Sequence, residues 1–312
     1  MDRTTVDWKG YWPACPTPFT ADTSAIDTDA LTALVNWYID QGMHGIFING
    51  TSGEWFSQSE QERRLVAETA VKAAAGRIPI VVGVTSYTAR AAAELGEHAM
   101  AAGAAGIAAT APPYAKTLPE ETFAFYRDLG AMSQAPVMIY NWPHGTSIDI
   151  DAELADRLAD IEQVVAIKDS TPNGEQFQET TKTVVGRVRV FGNFMNNAGL
   201  DFLVNHGGDG MIGGGSLYGR PDSKFWDDVW AGDLEAARIH ADASERLFSA
   251  LWAPGGWRGH YAAYQSQLKA AMDMRGIPGG GPVRPPRLPL TNVEDLATIR
   301  QVLIDFGMSV LP

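Results

Sequence analysis

Val164-Val165-Ala166-Ile167-Lys168-Asp169-Ser170 reads as a strand that carries an amine to its C-terminal end. Three of the four apolar residues are β-branched, which suits a strand buried on both faces. The chain holds seven lysines; Lys72, Lys182 and Lys269 fall in helical patterns, and Lys9, Lys116 and Lys224 in polar or turn-like surroundings. An ammonium at the mouth of a buried strand loses hydration, so its pKa falls and a neutral, nucleophilic fraction forms. That is the usual preparation for Schiff-base attack on a carbonyl. From position alone, a strand-end lysine reaching into solvent is the plainer reading. The rest of the chain decides between the two.

Working outward, similar apolar runs lie at 11–15, 45–48, 78–84, 106–109, 136–140, 187–191 and 210–212, which makes 164–168 the sixth of eight. Helical patterns separate them at 27–41, 57–75, 89–102, 119–132, 151–158, 175–185 and 196–205. The first opens on Asp and Thr and the second on Ser-Gln-Ser-Glu, both suited to capping. Eight strands alternating with helices predict an α/β protein, a closed (β/α)8 TIM barrel, with a doubly wound open sheet as the rival. After the eighth strand the helical patterns at 223–230, 234–252, 261–275 and 293–306 have no strand between them. Residues 1–230 are therefore expected to form the barrel, and 231–312 an all-helical C-terminal appendage packed on it. Gly279-Gly280-Gly281-Pro282 and Pro285-Pro286 mark a stiff connector before the last helix.

Composition narrows the function classes. The 312 residues are 45% hydrophobic and 20% charged, as in ordinary globular proteins, and the net charge of −13 argues against a nucleic-acid partner. No apolar run is long enough for a membrane span, and Met1-Asp2-Arg3-Thr4-Thr5 lacks the apolar core of a secretory signal. Cys15 is the single cysteine and reads as a small buried residue of the first strand. The expected location is cytoplasmic. His98, His206 and His240 fall in helix patterns without metal-ligand spacing, so no metal is expected.

In a parallel barrel, reactive groups sit at the C-terminal strand ends and in the loops that follow. Those positions hold Asn49-Gly50-Thr51-Ser52-Gly53-Glu54 after strand two, Pro112-Pro113-Tyr114 after strand four and Tyr140-Asn141-Trp142-Pro143 after strand five. Strand six supplies Lys168-Asp169, strand seven Gly192-Asn193, and strand eight Ile212 and Gly213-Gly214-Gly215-Ser216. One amine, two phenols and a hydroxyl-bearing glycine turn would converge on one mouth.

With Pro16-Thr17-Pro18-Phe19 near the start, Gly50-Thr51-Ser52-Gly53-Glu54, and Val283-Arg284-Pro285-Pro286 near the end, the chain resembles the dihydrodipicolinate synthase / N-acetylneuraminate lyase family. These are class I pyruvate-dependent aldolases and lyases, and the likeness runs over nearly the whole chain. The resemblance implies that Lys168 forms the imine with a 2-oxo acid and that Tyr140 shuttles protons between substrate oxygen and solvent. It implies that Thr51, Ser52 and Gly53 hold the substrate carboxylate, and that Tyr114 reaches across a subunit contact to complete a relay with Thr51 and Tyr140. Gly192, Ile212 and Gly213 would line the pocket, and the partners would be a small 2-oxo acid and an aldehyde. A homotetramer or homodimer is implied, with no cofactor beyond the covalent lysine imine.

The sequence also departs from that pattern. Gly145 stands where synthases of the family carry an arginine for a second carboxylate, and Pro113 where they tend to carry a second aromatic. Trp55 and Trp142 stand near the mouth and suggest a bulkier or less polar partner than a sugar acid, and His144 is expected to contact polar groups of the substrate. The leading expectation is a carbon–carbon lyase or aldolase that is not an authentic dihydrodipicolinate synthase. A 2-oxo acid dehydratase or hydratase-aldolase using the same imine is the alternative, and a non-catalytic 2-oxo-acid-binding barrel the third reading. Gly208-Asp209-Gly210-Met211-Ile212-Gly213 fits a dinucleotide fingerprint, but its middle is the eighth strand itself. The Gly213–Ser216 stretch could instead cradle a phosphate.

Overall fold

The computed structural model describes residues 1–312. Strands β1 (Gly10–Ala14), β2 (Ile46–Ile48), β3 (Ile80–Gly83), β4 (Gly106–Thr110), β5 (Val137–Asn141), β6 (Val164–Asp169), β7 (Arg189–Phe191) and β8 (Gly210–Gly214) pair in parallel and in chain order. β8 closes on β1, with Gly10 opposite Gly210 and Ala14 opposite Gly214. The expected closed (β/α)8 TIM barrel is therefore present, and the open sheet is not.

Around it run α1 (Thr28–Asp40), α2 (Glu60–Ala74), α3 (Ala89–Ala101), α4 (Pro119–Ser133), α5 (Pro143–Thr146), α6 (Ala152–Leu158), α7 (Gly174–Val184), α8 (Asn197–His206) and α9 (Arg220–Ala231). Then come α10 (Leu234–Leu251), α11 (Tyr264–Arg275) and α12 (Val293–Asp305), with no strand among them. Side chains of Asp27, Ser59, Thr88, Asp151, Asn173 and Asn196 cap six of the barrel helices by accepting a first-turn backbone N–H.

Strand alternation sorts the core into two layers. Phe47, Val81, Ala108, Met138, Ala166 and Phe191 pack with Trp8 and Trp12 inside the barrel. Ile46, Ile48, Val82, Ile107, Ile139 and Ile167 join the larger cluster between barrel and helices. Two residues beyond Ala166, Lys168 falls on the inner face, and it pairs in register with Tyr140 on one side and Phe191 on the other.

Several boundaries differ from the sequence pattern. The helix expected over 57–75 is split: Trp55–Ser57 forms a 3-10 turn, and α2 starts only after Ser59, whose hydroxyl and Glu62 make a reciprocal capping box. β3 is shorter than 78–84 because pairing is confined to Ile80–Gly83, with Ile80–Val82 against β2 and Val81–Gly83 against β4. The helix expected from 261 begins at Tyr264, because Trp252–Gly259 and Arg258–Ala263 form antiparallel bridges over a 3-10 turn at Pro254–Gly256. α5 was not legible, being a single turn opened by Pro143.

Candidate active site

The C-terminal mouth opens into a cavity of about 460 Å³. Lys168 stands in its wall, 7% exposed, with its Nζ 3.6 Å from the Tyr140 ring centroid and 5.3 Å from that of Phe47. No carboxylate lies within ion-pair distance of the amine. Burial alone pulls its pKa down to about 7, so close to half of the side chain is neutral near neutrality.

Next in the strand, Asp169 turns to the strand-end network. Its Oδ1 accepts from Asn141 Nδ2 at 2.9 Å and from the Thr171 N–H at 3.0 Å, while Asn141 Nδ2 also donates to Asp149 at 2.8 Å. These bonds tie the tips of β5 and β6 together, which holds Tyr140 beside Lys168. Burial pushes the Asp169 carboxyl up to about 6.

Across the mouth, Thr51 Oγ1 lies 3.5 Å from the Tyr140 hydroxyl. Burial raises that phenol to about 12 despite the lowering effect of its Thr51 and Ser170 neighbours. A cation formed on Lys168 would draw it back toward the range in which a phenol exchanges protons.

The turn that carries Thr51 is held from the appendage. Gln265 Nε2 donates to the Thr51 carbonyl at 2.8 Å. Lys269 Nζ pairs with Glu54 Oε1 at 2.7 Å, both fully buried, and donates to the carbonyls of Thr17 and Pro282. The Arg284 N–H reaches Glu54 Oε2 at 3.0 Å. Glu54 adopts a left-handed backbone conformation (φ 53°), which a non-glycine residue keeps only when its surroundings enforce it.

Of the residues expected at the site, Thr51, Ser52, Tyr140, Trp142, Lys168, Gly192, Ile212 and Gly213 share this one wall. Three do not. Gly53 lies beneath the turn, where a Cβ would press within 3.1–3.3 Å of Cys15 and Asn49 backbone atoms. His144 stands behind the wall, edge-on to Trp142 at 5.4 Å and stacked on Trp257 at 6.0 Å. Tyr114 is 94% exposed and does not line the cavity. Trp55 covers Arg63 instead of the cavity.

Sequence reasoning missed Tyr11, Asp222, Trp252, Trp257 and Tyr264, all in the wall. The glycines of β8 explain how two of these enter. A Cβ on Gly213 would stand 2.2 Å from the Tyr11 hydroxyl, and one on Gly214 would stand 1.4 Å from the Tyr264 hydroxyl. The glycine run thus admits two phenols. It is poorly suited to a phosphate, because Ser216 Oγ donates to the Asp222 carboxylate at 2.8 Å and burial raises Asp222 to about 7. The clustered aromatics Trp252, Trp257, Tyr261 and Tyr264 were the available signal. No three His, Cys, Asp or Glu side chains converge as a metal site.

A closed parallel barrel with a buried amine at the mouth end of its sixth strand is an arrangement suited to imine formation, as in the class I aldolases and lyases. The model of the Dihydrodipicolinate synthetase family matches residues 7–303, and the chain belongs to that family. An uncharacterized DapA-like lyase of Rhizobium meliloti is 29% identical over 306 residues, 98% of each chain. A 4-hydroxy-tetrahydrodipicolinate synthase of Sorangium cellulosum is 34% identical over 285 residues, 88% of this chain and 92% of its own. Among solved structures, YagE, a prophage protein of the dihydrodipicolinic acid synthase family from E. coli K12 crystallised with pyruvate, superposes with a TM-score of 0.86. It is 25% identical, over 97% of this chain and 100% of its own.

Proposed function

We propose that this protein is a Schiff-base lyase or aldolase that cleaves a carbon–carbon bond to release a 2-oxo acid and an aldehyde, or joins the two. The observation that carries the reading is Lys168, a buried amine without an acid partner, facing a cavity beside Tyr140. Its lone pair attacks the ketone carbon, and the resulting carbinolamine loses water to give a protonated imine. In cleavage, the C4 hydroxyl gives its proton to the Tyr140 relay as C4=O forms, and the electrons of the bond between C3 and C4 flow into the iminium, leaving an enamine and releasing the aldehyde. Protonation of the enamine at C3 and hydrolysis then return the amine and the 2-oxo acid. The imine is itself the electron sink, so the step requires no metal or organic cofactor. Tyr140, against Thr51, moves the protons, and the Thr51-Ser52 turn seats the carboxylate. Gly192, Ile212, Gly213 and Trp142 shape the wall, with Gly53 and His144 supporting it from behind.

The reading departs from dihydrodipicolinate synthase activity. Lys168 is the only cation in the wall, and Gly145 offers nothing to a second carboxylate. The exposed phenol of Tyr114 supports a homotetramer or homodimer in which the partner subunit's Tyr114 completes the proton relay. A cytoplasmic workplace is consistent with the lone, reduced Cys15.

Borohydride added with pyruvate should leave a reduced adduct on the peptide containing Lys168, and aspartate semialdehyde should give no turnover. An adduct elsewhere, or none, refutes the assignment. One observation favours a second outcome, dehydration: Asp222, raised by burial to about 7 in the same wall and so about half protonated at neutrality, is an acid that can assist a leaving hydroxyl. Incubation with a panel of 2-oxo acids followed by NMR separates the two. Aldehyde release marks cleavage, and loss of water with the carbon count intact marks dehydration.

A further inference from the structure

The Thr51-Ser52 turn presents two adjacent hydroxyls to the cavity wall. That of Thr51 faces Tyr140, on barrel strand β5. Ser52 shares the wall with Tyr264, the first residue of α11 in the appendage, and its hydroxyl offsets part of the rise that burial imposes on that phenol. Three features fix this second phenol. Gly214 leaves room for its hydroxyl where any side chain would collide with it. Its ring stacks on Trp252 at 4.6 Å and 28°. The next residue, Gln265, is bonded to the same turn at the Thr51 carbonyl. Tyr264 also shares the cavity wall with Lys168.

We propose that Tyr264 is a positioning residue for the substrate carboxylate: its O–H donates to Ser52 Oγ, which turns the Ser52 O–H toward the bound 2-oxo acid. The assignment deepens the imine-lyase reading and rests on it. A serine hydroxyl has one proton and two lone pairs. If it gives that proton to a neighbour, it shows only lone pairs to an anion and repels it. A phenol is the stronger acid of the two, so the donor order runs from Tyr264 to Ser52 and leaves the serine proton for the carboxylate. Burial keeps the Tyr264 phenol protonated across any working pH, so it stays a donor. A phenol that only filled space would make none of these demands on Ser52.

The test is borohydride trapping on the full-length protein at increasing concentrations of pyruvate or of methyl pyruvate, which keeps the ketone but lacks the charge. Tyr264→Phe is expected to raise the half-saturating pyruvate concentration roughly tenfold, as for loss of a hydrogen bond serving a charged group. Methyl pyruvate should be trapped alike by wild type and variant. Ser52→Ala should show the same selective loss, and the double variant no more than Ser52→Ala alone. Gly214→Ala, which displaces the hydroxyl without removing it, is the second route to the same outcome. The assignment is overturned if Tyr264→Phe saturates with pyruvate as wild type does, or if both ketones are weakened equally. If wild type itself forms no adduct on Lys168, the imine reading falls and takes this one with it. A normal wild-type adduct with an unaffected Tyr264→Phe sinks the Tyr264 assignment alone.

Discussion

Lys168 trades stability for reactivity. Its amine titrates near 7 in the folded protein and at its ordinary value of 10.5 when exposed. Between those values the unfolded chain binds the extra proton, so stability rises with pH across the window and the full burden is felt below pH 7. At neutral pH that burden is on the order of 4 kcal/mol. Lys168→Met, of similar length and uncharged, should therefore unfold at higher urea concentration than wild type at pH 6–7, with the gap closing toward pH 10. A variant no more stable than wild type would mean the amine is better solvated than its burial indicates. Activity should follow the same group in the opposite sense of use: kcat/KM is expected to climb about tenfold per unit below pH 7 and flatten above it. At this scale Lys168, Tyr140, Thr51 and Ser52 were legible because each ends or directly follows a short apolar strand, where position on the barrel follows from period alone. Tyr264, Trp257 and Asp222 were not, because their direction depends on how a later segment docks.

Among the elements, the turn at 49–54 and helix α11 behave as one unit. Tyr264, Gln265 and Lys269 lie within two turns of α11; Gln265 and Lys269 reach Thr51 and Glu54, and Tyr264 shares the cavity wall with Ser52. Lys269→Met would leave the Glu54 carboxylate buried with the Arg284 N–H as its remaining partner, a loss of about 3–5 kcal/mol. Urea unfolding should show that loss, and Lys269→Met/Glu54→Gln should recover part of it; a single variant within 1 kcal/mol of wild type, roughly the size of an exposed pair, would contradict a supporting role. The appendage was predicted as helices packed on the barrel, and the helices are there. Their contribution to the site was invisible because the apolar pattern of 261–275 reports which face is buried, not against what. The 3-10 turn at Trp55–Ser57 and the single-turn α5 escaped for a simpler reason: three or four residues are too few to show a period.

For the whole molecule, a closed barrel was the leading reading of eight apolar runs alternating with helical patterns, and the pairing of β8 with β1 decides it against the open sheet. Assembly is not written in the same pattern. Tyr114, 94% exposed in a chain that buries half of its aromatic side chains, is the surface residue on which the proposed assembly can be tested. Light scattering should return a multiple of 33.6 kDa, and Tyr114→Ala should lower that multiple or the activity per subunit. A fully active 33.6 kDa species would remove any need for a second copy. No helix is long and apolar enough to cross a membrane.

The contacts from α11 and Arg284 to the turn after β2 also set an order of events during synthesis. A ribosome has to translate past residue 284 before the carboxylate seat acquires its supports, although Lys168 has been made more than a hundred residues earlier. The nascent chain therefore carries Lys168 through more than a hundred residues of elongation before the turn after β2 gains its supports, and on the proposed reading catalysis waits for the final helices.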